Sequence, residues 1–129
     1  MVVDSSALAA ILLGEAESPQ FVEQLSGSAE TCMSAASYVE IGVVMCRRFR
    51  ERGLLRARGI VELFAIEICD VTAEQARIAQ EAYLRYGKAL NAAGLNYGDC
   101  FVYALARVRR EPVLCKGAEF GKTDIAVVA

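Results

Sequence analysis

Apolar residues fall along this chain in two alternating patterns: short continuous runs, and longer stretches with apolar positions three and four apart. The first pattern predicts strands buried on both faces, the second helices with one buried face. Met1-Val2-Val3 is the first run and ends at Asp4, and a helix over residues 7–14 follows, capped by Ser5 or Ser6. Ser18-Pro19 opens a second helix to about Leu25, with Ser18 as N-cap and proline at the first position, where a missing N–H does no harm. Thr31-Cys32-Met33 is a second strand. A long helix begins at Ser34, apolar at first and strongly basic by Arg52, and Gly53 is expected to interrupt it before a further helix over residues 54–64. Residues 66–71 form a third strand. Thr72 and Gln75 make a capping-box pattern for a helix to about Tyr86. A polar loop covers residues 87–95. Asn96 then caps a helix to about Arg110, with Asp99 in its first turn. Residues 112–115 and 125–128 supply the last two strands. Strands alternating with helices predict an α/β fold, its parallel sheet covered on both faces. In such sheets ligands bind beyond the carboxyl ends of the strands, which singles out Asp4 and residues 116–119.

Length and composition set limits on this picture. The 129 residues suit one domain, 1–129, and 55% hydrophobic content suffices for its core. No apolar run approaches the roughly 20 residues needed to cross a membrane. The first run also lacks the basic flank of a signal peptide, so a cytoplasmic protein is expected. Five widely spaced cysteines without a CxxC fit buried free thiols better than a disulfide framework. The absence of histidine is more telling: it removes the commonest general base and zinc ligand, so acid–base or metal chemistry must use carboxylates. A net charge of −2 gives no global field that gathers nucleic acid. Locally, Arg47, Arg48, Arg50, Arg52, Arg56 and Arg58 face only Glu51 in sequence, forming either a solvated helix face or a surface for a phosphate backbone.

Three acids stand apart from the ordinary surface. Asp4 follows a buried run and precedes an apolar helix, where it is either a cap or a ligand. Glu40 lies in an apolar stretch, where a lone acid is costly to bury unless a cation such as Arg47, or hydrogen bonds, compensate it. Asp99 opens a helix whose dipole favours its charge. Hard oxygen donors from three separated segments, without histidine or thiolate, suit Mg²⁺ or Mn²⁺ and the phosphoryl chemistry such ions support.

"VVDSSAL", "SAASYVEIGVV", "LNYGDCFVYALA" and "VLCKGAEFGKTDI", in that order, resemble a PIN domain, and within that family the VapC-like toxins of VapBC toxin–antitoxin pairs. The resemblance covers nearly the whole chain. It implies a three-layer α/β/α fold with a central parallel sheet of four to five strands. It implies Mg²⁺- or Mn²⁺-dependent endoribonuclease activity against structured RNA, such as tRNA or rRNA, that inhibits translation. It also implies a cognate VapB-like antitoxin and a homodimer that forms a heterotetramer or larger assembly with it. The family's acids fall on Asp4, Glu40 and Asp99, with Ser6 matching the small hydroxyl residue near the first and Asn96 supporting the third. The last block departs from the family pattern: Ala118 stands at an acidic position, which leaves Glu119 or Asp124 as the fourth acid. Arg47, Arg48, Arg52 and Lys116 are candidates for binding RNA or antitoxin. Two other readings stay open. Loss of the acid at Ala118 suits a catalytically weak module that only binds RNA or antitoxin. Asp4, Asp70 and Lys116 at three strand ends suit a phospho-accepting receiver domain.

Overall fold

In the computed structural model, which describes residues 1–128, the strands are only two or three residues long, and that shortness sets the layering. β1 (Val2–Val3), β2 (Cys32–Ser34), β3 (Glu67–Cys69) and β4 (Val113–Leu114) form a parallel sheet in the order β3-β2-β1-β4. Val2 stands opposite Cys32 and Val113, and Val3 opposite Leu114. Successive strand side chains point to opposite faces, so neighbouring residues serve different cores. Val3, Met33 and Leu114 pack with α1 (Ser5–Leu12), α2 (Ser18–Gly27) and α3 (Ala35–Leu63). Val2, Cys32 and Val113 pack with α4 (Ala73–Tyr86) and α5 (Tyr97–Arg109). Leu8, Met33, Ile41, Met45, Leu105 and Leu114 are fully enclosed. Each such side chain contributes about 1.5–3 kcal/mol of burial. The three-layer α/β/α architecture follows.

Several boundaries differ from expectation. α1 starts at Ser5, because Asp4 itself is the N-cap and accepts the Ser6 N–H at 3.1 Å. α2 starts at Ser18 with Glu17 as N-cap and no side-chain capping bond, with Pro19 in its first turn. α3 is broken at Arg50 (φ 52°, ψ −132°), not at Gly53. Gly53 serves the packing instead, since a Cβ there would collide with the carbonyl oxygen of Met45, and glycine lets the two halves close on each other. The expected fifth strand is reduced to a parallel bridge between Val113 and Val127. A short 3₁₀ turn, η1 (Phe120–Lys122), lies before it and is anchored by the buried Phe120. No helix among the described residues is long and apolar enough to cross a membrane.

The fold brings the ends of the two central strands together. β1 runs into Asp4 and β4 into residues 115–119, and the Asp4 N–H donates to Leu114 O at 2.9 Å. α3 and α5 cross the same end of the sheet, carrying Glu40 and Asp99.

Candidate active site

Asp4 is buried, and one of its oxygens is fully engaged. Oδ2 accepts from both the backbone N–H and the hydroxyl of Ser6, while the Ser6 hydroxyl accepts the Lys116 N–H at 2.9 Å. Ser6 thus ties the end of β4 to the first acid. The other oxygen, Oδ1, is buried without any hydrogen-bond partner. An orphaned carboxylate oxygen is costly, and nothing in the fold of β1 or α1 requires it.

Asp99 is the third residue of α5 and is held by a reciprocal capping box. Its N–H donates to Asn96 Oδ1 at 2.9 Å, and its Oδ2 accepts the Asn96 N–H at 3.0 Å. One oxygen thereby fixes the rotamer. Glu40, on the second turn of α3, accepts a hydrogen bond from the Ser5 hydroxyl through Oε1. Its Oε2 lies against the backbone of Gly98, where any Cβ would occupy the same space. Glu40 therefore reaches the first turn of α5 only because residue 98 is glycine. Glu119 is half-buried after β4, on a turn that Gly117 makes possible with φ +102°.

The charges felt at this end of the sheet are of one sign. Burial pushes the Asp4 carboxyl up to about 6; the Ser6 hydrogen bonds lower it in part, and the charges of Asp99 and Glu40 raise it. Asp99 is raised by burial, against the Asn96 backbone hydrogen bond, with Glu119 and Glu40 adding to the rise. The Cys115 thiol below them is pushed up to about 12 by burial and by Asp4, Glu119 and Asp99. Neither Asp4 nor Asp99 is lowered by any arginine or lysine.

The other candidates lie elsewhere. Asp124 accepts from the Tyr103 hydroxyl and from Arg107, each at 2.7 Å, with Arg85 at 3.8 Å. The Tyr103 hydrogen bond, ahead of those cations, holds its carboxyl below the ordinary range. It is an ion-paired residue beside the later turns of α5, away from the Asn96–Asp99 cap. The Lys116 ammonium pairs with Glu15 and Glu17. Arg47, Arg48 and Arg52 are exposed on α3. Asp70 is exposed after edge strand β3, with β2 between it and β1. The receiver arrangement of Asp4, Asp70 and Lys116 is therefore absent among the described residues.

The donor set fits a divalent cation in its chemistry: hard carboxylate oxygens, like charges without a paired cation among the described residues, and one orphaned buried oxygen. Among the described residues no three acids or thiols stand at coordinating spacing. Ser5, Gly98 and Gly117 are the parts of this site that sequence reasoning missed. Ser5 was weighed only as a cap, and a glycine's value as empty space becomes visible only when the partner side chain is in place.

Comparison with known proteins settles the family. The PIN domain family model matches residues 1–126. The chain belongs to the PIN-domain family. Within that family it is similar to Ribonuclease VapC30 of Mycobacterium tuberculosis, 43% identical over all of this chain and 98% of the relative. It has the same identity to Ribonuclease VapC of Mycolicibacterium smegmatis, over 99% of each. These full-length matches place this PIN domain in the VapC branch. Among solved structures, VapC20 of M. tuberculosis, described as a sarcin-ricin-loop-cleaving toxin, superposes with a TM-score of 0.80. It covers 98% of this chain and 97% of its own at 18% identity. VapBC2 of Rickettsia felis, solved on a DNA fragment of its promoter, gives 0.76 at 12% identity over 99% and 96%.

Proposed function

We propose that this VapC-type PIN domain is a toxin endoribonuclease of the cytoplasm, dependent on Mg²⁺ or Mn²⁺, that inhibits translation by cutting a structured RNA. The observation that carries the reading is the buried, unpartnered Oδ1 of Asp4, an acid raised by burial and by the charges of Asp99 and Glu40. Asp4, Glu40 and Asp99 would hold the ion, and Glu119 is the fourth acid. When bound, such an ion supplies Lewis acidity and lowers the pKa of water for attack on a phosphodiester. The chain's own residues prepare the place. Ser6 fixes Asp4 and Asn96 fixes Asp99 through one oxygen each, leaving the other free. Ser5 and the space at Gly98 direct Glu40 inward. The relatives' names as ribonucleases support the activity.

The partner is a VapB-like antitoxin, in line with the VapBC complexes that share this fold. An apolar groove of about 520 Å³ on α3 suits a segment of it. Val39 and Val43 are exposed in that groove, and Arg47 and Arg58 stand on its rim. Ile60 and Val61, on the same helix, are core residues. A homodimer, and a heterotetramer or larger assembly with antitoxin, complete the proposal.

The test is cleavage of total bacterial RNA by the purified chain with Mg²⁺ or Mn²⁺, beside Asp99→Asn. Wild type is expected to leave 5′-phosphate and 3′-hydroxyl ends, and Asp99→Asn to lose on the order of a hundredfold or more in rate. If neither protein cuts but wild type still binds RNA or antitoxin, the exposed Ala118 marks a binding module instead.

A further inference from the structure

Residues 1–46 contain no lysine or arginine, so the cation that Glu15 and Glu17 take comes from the other end of the chain. Lys116, just past β4, pairs its ammonium with Glu15 and, at 3.5 Å, with Glu17. It is the one basic residue in the stretch from β4 to Glu119. The two glutamates stand on an ordered turn. Gly14 closes α1 in the left-handed conformation (φ +65°), and the Glu15 N–H reaches back to Ala10 O at 2.9 Å. The Lys116 backbone is fixed as well, and it borders the acids. Its N–H donates to the Ser6 hydroxyl at 2.9 Å, and that hydroxyl donates to Asp4. Two hydrogen bonds therefore separate the Lys116 backbone from the first acid. A lysine stem is flexible enough to turn either way from there. It turns to the glutamates, and neither Asp4 nor Asp99 is lowered by its charge. With 41% of the Lys116 side chain exposed, the ammonium stays within reach of a ligand.

We propose that Lys116 binds an RNA phosphate beside the one held at the acids, and that Glu15 and Glu17 are positioning residues that keep its ammonium at the rim of the site. The inference rests on the ribonuclease reading above and adds a substrate contact to it. An ammonium left free beside Asp4, Glu40 and Asp99 is attracted to those carboxylates and would compete there with the ion. The glutamates of the α1–α2 turn offer it two charges in a more solvated place, where less desolvation opposes the pair. An ammonium has three protons to donate, so one remains after both glutamates are served. A phosphate oxygen suits that proton, because lysine binds phosphate as a point charge. A role in stability alone fits less well. An exposed pair contributes little, and this one joins two turns that their own hydrogen bonds already fix.

The experiment compares full chains: wild type, Lys116→Met, Lys116→Arg, Glu15→Gln with Glu17→Gln, and that glutamate pair combined with Lys116→Met. Sequenced ends of total bacterial RNA cut by wild type define an oligoribonucleotide that spans a cut. KM and kcat are measured on it with Mg²⁺ or Mn²⁺, and its binding in Ca²⁺ is followed against salt. Lys116→Met should raise KM on the order of tenfold with kcat nearly kept, and reduce the salt slope of binding by about 0.7. Lys116→Arg keeps the charge and should recover most of the loss. The glutamate pair separates positioning from plain charge by sign. Removing two negative charges should, by charge alone, tighten RNA binding. With Lys116 present it should instead weaken binding by roughly threefold or more, and in the Lys116→Met background it should tighten it. Thermal midpoints should stay near wild type, since the pair is partly solvated. Wild-type KM and slope in Lys116→Met overturn the phosphate contact and leave the ribonuclease reading intact. Tighter RNA binding by the glutamate variant with Lys116 present overturns the positioning role. A fall in kcat at unchanged KM in Lys116→Met places Lys116 in the chemistry itself, and also overturns the proposal. A wild-type chain that neither cuts nor binds RNA overturns the ribonuclease reading, and this contact with it.

Discussion

Asp4 sits under opposing demands. Ser6 and the α1 cap stabilise its charge, while burial and the neighbouring acids oppose it, and opposition wins: the carboxyl rises from 3.8 to about 6. The folded chain therefore binds this proton more tightly than the unfolded chain. Without a bound cation, the stability this group contributes should be full below about pH 4 and be lost as pH rises through about 6, roughly 3 kcal/mol in all. Asp99 shifts in the same direction and adds to the slope. Denaturant titration in EDTA across that window measures it, and Asp4→Asn, which keeps a capping oxygen, should flatten the profile. Mg²⁺ added at neutral pH should restore the lost stability; if it leaves the wild-type melt unmoved, the acids do not hold the ion. The same contrast of surroundings separates the two late acids. Glu119→Gln should raise the metal concentration needed for cleavage. Asp124→Asn should leave that requirement alone and weaken folding by no more than about 1 kcal/mol, since its ion pair is partly solvated.

At the scale of elements, Gly98 makes a test that separates packing from chemistry. Alanine is the better helix former by about 1 kcal/mol, yet its Cβ would fall on Glu40 Oε2. Gly98→Ala should keep or raise the thermal midpoint while cleavage drops by roughly tenfold or more. A variant that melts normally and cuts normally would show that Glu40 does not need its place beside α5. This pairing also marks where sequence reading ends. The apolar runs at β1, β2 and β4 are legible because strands buried on both faces leave no polar positions. The Asn96–Asp99 box is legible because capping is local. Acids on three segments, with the metal chemistry they suit, are legible as an expectation. That Glu40 passes over residue 98 depends on how α3 crosses α5, which no local pattern encodes. The same holds for the break in α3: Gly53 draws the eye, but the turn falls on Arg50, where tertiary closure against Met45 imposes a positive φ on an exposed arginine.

Across the whole molecule, charge is divided in a way that net charge hides. The acids are gathered at the carboxyl end of the sheet, while Arg47, Arg48, Arg50, Arg52, Arg56 and Arg58 lie exposed along α3, the helix that also carries Glu40. Arg56 rests over the Phe49 ring, 5.5 Å from its centroid, a contact that spans the break at Arg50. A phosphate backbone held along α3 would be led toward an end of the molecule that repels it until a cation is bound. Long-range attraction would then govern encounter, and the metal would govern commitment. Phosphate contacts of this kind release counterions and show as a salt dependence of binding. With the antitoxin removed, wild-type binding of single-stranded RNA in Ca²⁺ should weaken linearly on logarithmic axes as salt rises. Arg48→Ala with Arg52→Ala should reduce that slope by about 1.4, near 0.7 for each lost contact, and leave the cleavage rate of bound RNA unchanged. An unchanged slope with weaker antitoxin binding would instead place these two arginines on the antitoxin side of α3, at the rim of the groove that Val39 and Val43 line.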